Sequence, residues 1–318
     1  MKHATLHQLK IFEVVARNLS FTRAAEELHL TQPTVSIQMK QLMDIVGMPL
    51  IEQVGKRIFL TEAGRELLTV CHELFDGLSR FEMLVSDMKG VKAGKLRLGV
   101  ITTAKYFVPR LLGPFCDRYP GIDITIKVTN RERLLQRLAD NEDDLYILGQ
   151  MPEKMDVWVE PFLDNPMVVI APHNHPLAGQ KNIPAQRIAE EPFLMRESGS
   201  GTRLTTEAFF NDRGLPIKIR MELGSNEAIK QAVAGGLGIA VLSAHTLALE
   251  KSADELAVLD VEGFPIMRQW HVAYSTGKQL SVVARTFLEF LQQESGPMAE
   301  RYMQGLPGLS CQIGKRDE

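Results

Sequence analysis

Residues 20–46 read SFTRAAEELHLTQPTVSIQMKQLMDIV, two short helices joined by a tight turn. Ser20 can cap the first helix by accepting a hydrogen bond from an early backbone N–H, and Thr31 can cap the second. Pro33 then falls in the first turn of the second helix, where its missing N–H removes nothing the helix needs. Phe21, Ala24, Ala25 and Leu28 form an apolar stripe on the first helix. Val35, Met39, Leu42 and Val46 step by four, three and four along the second and mark one buried face. The opposite face carries Gln32, Thr34, Ser36, Ile37, Lys40 and Gln41. Amides, hydroxyls and a cation gathered toward the N-terminal half are what a helix needs to enter a DNA major groove. An ordinary helical hairpin with a solvated polar face has the same spacing.

Residues 50–61, LIEQVGKRIFLT, place Gly55, Lys56 and Arg57 at a turn between two short apolar runs. This reads as a β-hairpin wing with two cations at its tip, suited to phosphates or a minor groove. Taken together, SFTRAAEELHLTQPTVSIQMKQL followed by GMPLIEQVGKRIFLTEAGREL resembles the winged helix-turn-helix of LysR-type transcriptional regulators, without a gap. The resemblance implies a recognition helix from about Gln32 to Val46. Gln32, Pro33, Thr34, Ser36, Ile37 and Lys40 are then DNA-contacting residues, with Lys56 and Arg57 on the wing. The chain departs from the family pattern at Ile37, where Arg is common, at Met43, where an acidic residue is common, and at Ile51, where an aromatic is usual. Losing the Arg removes a bidentate contact to guanine, whereas an exposed Ile37 can touch thymine methyls.

At 318 residues the chain is long enough for two or three units. Its net charge of −3 creates no global basic field, so DNA-binding charge must be local, at Lys40, Lys56 and Arg57. No apolar run approaches the ~20 residues of a membrane span. The first stretch, MKHATLHQLKIFEVVARN, is amphipathic, with Leu6, Leu9, Phe12, Val15 and Ala16 on one face; it reads as a core helix, not a signal peptide. Cys71, Cys116 and Cys311 show neither metal-ligand spacing nor a disulfide framework. That fits a reducing cytoplasm and a protein with no metal and no cofactor.

Thr61 can cap a long helix reaching about Lys89, with Leu67, Cys71, Leu74, Leu78, Phe81, Val85 and Met88 at alternating steps of four and three. Such a heptad seam pairs with a second copy of itself, unless the helix packs on its own domain. Gly77 weakens it locally. The resemblance makes this the family's linker helix, holding two DNA-reading heads in a homodimer that assembles to a homotetramer on an operator with dyad symmetry.

Residues 89–94 read as a hinge. Beyond it, KLRLGVI, GIDITIKV and DLYILG alternate with two helical segments in β-α-β-α-β order, implying a mostly parallel sheet. A second unit is expected to begin near Pro166 with MVVIAP. It continues through PFLMRE, a helix near 202–213, a strand near 217–223, a helix at 226–234 and GIAVL; WHVAYS and SVVARTFLEFL return to the first unit. The resemblance implies an α/β, periplasmic-binding-protein-like effector domain of two subdomains. The expected division is 1–61 for the winged helix-turn-helix, 62–90 for the linker helix and 94–295 for the effector domain. Within the last, subdomain I takes 94–165 and 270–295, and subdomain II takes 166–269. Residues 296–318 read as an extension, partly disordered toward GKRDE.

Three strand-to-helix junctions carry polar side chains beside free backbone N–H groups: residues 101–105, 196–203 and 224–227. Helix starts bind anions because unpaired donors and the helix dipole point outward, although any one junction can be plain capping. In an open α/β sheet the carboxyl ends of the strands share one crevice. The family's effector cleft adds support for Thr102, Thr103, Ser198, Ser200, Thr202 and Asn226. Lys105, Gln150, Arg196 and Arg203 contribute charge or a neutral hydrogen bond. ESGSGTR and TTAKYFVPRLL, with DDLYILGQMP and PHNHPLA, resemble the carbon-fixation branch of the family. That branch includes regulators of Calvin-cycle and inorganic-carbon-uptake genes. Its members respond to small phosphorylated or carboxylated metabolites, so a small anionic effector is expected: a sugar phosphate, a phosphorylated acid or a dicarboxylate.

A LysR-type regulator of another metabolic pathway is the alternative within the family; outside it, an enzyme and a solute receptor compete. An enzyme would need a nucleophile elbow, but Glu197 stands where G-x-S-x-G requires its first glycine; there is no Walker A pattern, and residues 235–238 lack G-x-G-x-x-G spacing. His173 and His175 lie in a Pro-rich turn with no third ligand nearby in sequence. A free-standing solute receptor would share the effector fold but would have no use for a DNA head.

Overall fold

The structure is a computed structural model. It describes residues 3–55, 57–88, 92–150, 155–247 and 255–303, with backbone alone for residues 88 and 298–303. The chain divides into two compact units, Met1–Val85 and Ser86–Glu318.

The first unit contains α1 (Leu6–Asn18), α2 (Phe21–Leu28), α3 (Gln32–Val46), β1 (Ile51–Val54), β2 (Arg57–Leu60) and most of α4 (Glu62–Met88). Both expected caps form: Ser20 Oγ accepts from Arg23 N at 3.3 Å, and Thr31 Oγ1 accepts from Thr34 N at 3.3 Å. Phe12, Val15, Ala24, Val35, Met39 and Leu42 close the core, so the apolar faces meet as their spacing requires. β1 and β2 pair antiparallel as the wing. Thr61 Oγ1 accepts from Gly64 N at 3.0 Å and donates to Pro49 O at 2.8 Å, which ties the start of α4 to the entrance of the wing. Gly64 is required by that approach: a Cβ there would stand 2.0 Å from the Leu50 carbonyl oxygen.

The seam read along α4 is split by the structure. Leu67 and Cys71 do not face outward but are buried in the head's own core. Burial pushes the Cys71 thiol up to about 12, so it is a packing group and not a nucleophile. The seam positions turn outward one turn later, at Leu74 (37% exposed), Leu78 (43%) and Phe81 (64%). Periodicity cannot separate these two halves, because the head and a partner helix each demand the same spacing. Met88 lies beyond the described side chains.

The second unit begins with β3 (Gly94–Ile101), α5 (Val108–Arg118), β4 (Ile122–Thr129), α6 (Arg131–Ala139) and β5 (Leu145–Leu148). These three strands are parallel in the order β5-β3-β4, as the β-α-β-α-β pattern requires. Next come β6 (Val157–Pro172), α7 (Ala185–Ala189), β7 (Pro192–Arg196), α8 (Gly201–Asn211), β8 (Lys218–Leu223) and α9 (Asn226–Ala234). The chain continues through β9 (Ala240–Ser243), β10 (Leu256–Leu259), β11 (Ile266–Ser275) and α10 (Val282–Met303). β11 joins β5 to β6, and β6 also carries β9 and β10; all of these pairings are antiparallel, so the seven-stranded sheet is mixed. β7 and β8 form a separate parallel pair.

Two expectations are corrected. The strand placed near Pro166 already begins at Val157, because Pro161 and Pro166 interrupt only single ladder bonds; Pro161 lies opposite the register shift at Trp270/His271. The last helix does not stop before residue 296 but carries Gly296 and Pro297 on to Met303. Residues 304–318, the hinge residues 89–91, Lys56 and Cys311 lie outside the described residues. Among the described residues, no helix is long and apolar enough to cross a membrane.

His245 gives this unit a pH dependence. Burial pushes its imidazole down to about 4, against the Asp164 carbonyl that lies 2.8 Å from Nε2. The unfolded chain protonates this residue near 6.5, so between 6.5 and 4 the unfolded state binds more protons than the native one. Stability is therefore complete above ~6.5 and falls by about 3 kcal/mol as pH drops through 4. Chemical denaturation at stepped pH should show this slope, and His245→Gln should flatten it. An equal slope in the variant would assign the dependence to other groups.

Candidate functional site

The carboxyl ends of β3, β4 and β5 open into one cleft, as in other open α/β sheets. β6, β7, β9 and β11 supply its other wall. The cleft encloses about 570 Å³, part of it open to solvent. Thr102 and Thr103 follow β3, Arg131 opens α6 after β4, and Gln150 follows β5. From the facing side come Arg196 and Glu197, the start of α8 at Ser200, Gly201 and Thr202, and then Asn165, Ser243, Arg268 and Trp270.

The second expected junction is built differently from the third. Ser200 N donates to Glu197 O at 3.1 Å, closing a turn in which Gly199 takes φ +79°, a conformation that favours glycine. Ser200, the residue before α8, makes no side-chain cap, so the first N–H groups of α8 are not satisfied by it. Ser225 Oγ, by contrast, accepts from Ala228 N at 3.4 Å and caps α9 in the ordinary way. The uncapped helix start lines the cleft; the capped one does not.

Arg196 is only 3% exposed. Its Nε and Nη2 donate to the two Glu197 carboxylate oxygens at 2.7 and 2.8 Å, and Nη1 donates to Asn226 Oδ1 at 2.5 Å. Asn226 Nδ2 donates in turn to Thr103 Oγ1 at 3.2 Å. Asn226 is buried behind the lining, where it fixes two residues that do line the cleft. Lys105 and Arg203 lie outside that lining. Lys105 Nζ is 3.0 Å from Glu227 Oε2, and Tyr106 donates to the other Glu227 oxygen. Burial pushes the Glu227 carboxyl up, but the Tyr106 and Lys105 bonds outweigh it and hold it at about 2. Arg203 pairs with Glu207 at 2.7 Å and with Glu222. Ser198 is exposed in the turn, also outside the lining.

Two cationic groups were not among the sequence candidates. Arg131 has a buried Nε with no hydrogen-bond partner, and Arg268 Nη1 donates to the Thr205 hydroxyl at 2.9 Å. Among the described residues neither forms an ion pair. The Arg268 charge reaches His271, whose pKa is lowered first by burial and then by this guanidinium. Arg131 was legible: it stands at a fourth strand-to-helix junction, where Asn130 Oδ1 caps α6 by accepting from Arg133 N at 2.9 Å. Arg268 shares a face with Trp270 on a strand whose only signal was alternation.

On the first unit, the face of α3 opposite the core carries Gln32, Pro33, Lys40 and Gln41 exposed, with Ile37 56% exposed. Gln32 Nε2 donates to Ser36 Oγ at 2.8 Å, and the Thr31 and Thr34 hydroxyls are 2.8 Å apart. These local bonds hold the polar groups in place before any partner arrives. Arg57 is exposed at the start of β2.

Residues 6–65 match the bacterial regulatory helix-turn-helix protein family of lysR type, and residues 89–296 match the LysR substrate binding domain. The chain belongs to the LysR family of transcriptional regulators, and is a DNA-binding regulator, not an enzyme. Its relatives lie in the carbon-fixation branch. The transcriptional activator CmpR of Synechocystis sp. is 54% identical over 291 residues, which covers 92% of this chain and 96% of CmpR. A RuBisCO operon transcriptional regulator of Acidithiobacillus ferrooxidans is 52% identical over 302 residues, covering 93% and 98%. Among solved structures, the regulatory domain of Synechocystis CcmR in complex with 2-PG is 55% identical, with a TM-score of 0.62, covering 64% of this chain and 98% of that one. A full-length OxyR variant from Pseudomonas aeruginosa, at 24% identity and a TM-score of 0.71, shares the fold over 91% of this chain and 94% of its own.

Proposed function

We propose that this regulator controls carbon-fixation or inorganic-carbon-uptake genes in the cytoplasm, and that its effector is a small phosphorylated acid of the 2-phosphoglycolate class. One observation carries the effector reading: two guanidinium groups without carboxylate partners among the described residues, Arg131 and Arg268, line one cleft with the uncapped start of α8. Thr102, Thr103, Gln150, Ser200 and Thr202 add neutral hydrogen-bonding groups, and Arg196 stands in the wall. An anion needs donors and positive charge together, and this cleft supplies both. The 2-PG bound by the CcmR regulatory domain is such a molecule.

The domain reading is 1–61 for the DNA-binding head, 62–90 for the linker and 94–295 for the effector domain, with 296–318 as the extension. The cleft lies between subdomain I, 94–165 with 270–295, and subdomain II, 166–269. Both divisions fall inside the long strands β6 and β11, which pass from one half to the other. The chain acts as a homodimer assembling to a homotetramer on a dyad-symmetric operator. An effector changes DNA occupancy only if it binds one arrangement of the domain better than another, and operator DNA must then change effector affinity by the same factor.

Calorimetric titration of the purified protein with 2-phosphoglycolate should show binding, and footprinting with and without it should show a shifted pattern. Absence of both would overturn the effector reading.

On the DNA side, the base-reading groups are Gln32, Thr34 and Ser36, with Pro33 and Ile37 as apolar contacts and Lys40, Lys56 and Arg57 on the backbone. Replacing Gln32, Thr34 and Ser36 together by Ala should cost at least about tenfold in operator affinity at fixed salt, with far less change on random DNA. Lys40→Ala should weaken both alike. Operator binding that survives the triple replacement would move the reading surface elsewhere.

A further inference from the structure

We propose that Glu197 sets the charge class of effector that the cleft accepts, by neutralising Arg196. The inference rests on reading this cleft as the anion site. Among the described residues, three guanidinium groups line it, at Arg131, Arg196 and Arg268, and one carboxylate, Glu197. That carboxylate takes both donors along one edge of the Arg196 fork, at 2.7 and 2.8 Å, the geometry of a bidentate pair. Asn226 Oδ1 takes Nη1. Arg196 is thus already satisfied inside its own chain and serves as a brace, while Arg131 and Arg268 keep their charge for a ligand.

Glu197 is itself part of the cleft wall, so its charge acts on whatever binds there. It cancels one of the three positive charges among the described lining residues and leaves the cleft suited to one phosphate with one carboxylate. A ligand with a second phosphate meets a carboxylate where it would gain from a cation. Glu197 is therefore a residue of negative selection: it lowers the affinity for every anion and lowers it most for the most highly charged. The carboxylate opposes the ligand's charge, so it shapes the site without binding the ligand.

Glu197→Gln keeps the side-chain shape and one acceptor oxygen for Arg196 but removes the charge. Glu197→Asp keeps the charge on a shorter arm. Affinity is measured by calorimetry for inorganic phosphate and 2-phosphoglycolate, and for a bisphosphorylated sugar acid, at two salt concentrations. Melting curves check that each variant folds. Glu197→Gln should bind 2-phosphoglycolate and phosphate on the order of tenfold more tightly, with the largest gain for the bisphosphate and a steeper salt dependence. Glu197→Asp should stay nearer the parent. If the parent binds 2-phosphoglycolate and Glu197→Gln binds it equally or more weakly, the counter-charge role is overturned and the effector reading stands. If the parent binds no anion but Glu197→Gln takes up phosphate, the counter-charge role stands and the effector reading falls. If neither binds any of the three, both are overturned.

Discussion

Replacing Arg131 and Arg268 together by Ala should abolish the response to 2-phosphoglycolate at concentrations that saturate the parent. Each guanidinium lines the cleft without a carboxylate partner among the described residues, so each is free to form charge-assisted bonds. Such bonds contribute about 1.5–3 kcal/mol apiece, and losing two lowers affinity by roughly 10²–10⁴-fold. Arg268→Ala also leaves the Thr205 hydroxyl without its donor, but that hydroxyl still donates to Gly201 O at 2.9 Å. The fold therefore loses little, and the melting temperature should stay close to that of the parent. Calorimetry gives the affinity, and footprinting gives the response. Retention of parental affinity would remove this pair from the site. The same test on Lys105→Ala should show a much smaller effect, because Lys105 already faces Glu227 outside the lining.

The second large effect concerns assembly. Leu74→Asp with Leu78→Asp places two carboxylates in the exposed part of the α4 seam. In a paired seam they would be buried without partners, which is strongly destabilising. Light scattering should report a drop from the parental mass toward the monomer. Operator affinity should fall by roughly 10²–10⁴-fold, because two linked heads bind far more tightly than two separate ones. The folded head should survive, since both leucines are exposed within the protomer. Leu67→Ala or Cys71→Ala should do the reverse: destabilise the head, where both side chains are buried, and leave the mass unchanged. An unchanged mass for the Leu74/Leu78 variant would exclude this helix as the dimer contact.

What the sequence determines here is local and periodic. Ser20, Thr31 and Thr61 announce their helices because capping is a short-range hydrogen bond between near neighbours in the chain. The core faces of α2 and α3 are legible for the same kind of reason, since a helix of fixed pitch must place Ala24, Val35, Met39 and Leu42 on one side. The order of strands and helices in residues 94–148 implies parallel pairing, because a right-handed crossover leaves no alternative.

Only the tertiary structure decides which partner satisfies a group that has several candidates. Heptad spacing holds from Leu67 to Phe81, yet the first two positions belong to the head and the later ones are left exposed; burial depends on what lies opposite, which spacing does not contain. Lys105, Arg196 and Arg203 look equivalent to Arg131 and Arg268 in sequence. They differ because each meets a carboxylate: Glu227, 122 residues away, reaches Lys105, Glu197 takes Arg196, and Glu207 on α8 with Glu222 on β8 takes Arg203. Arg131 and Arg268 have no carboxylate within reach among the described residues. The long strands β6 and β11 bring Asn165, Arg268 and Trp270 to the cleft, and the prolines of β6 conceal its length. Charge available to a ligand is what remains after the fold has paired the rest. That remainder is set by distances in space, which order along the chain contains only for near neighbours such as Arg196 with Glu197 and Arg203 with Glu207.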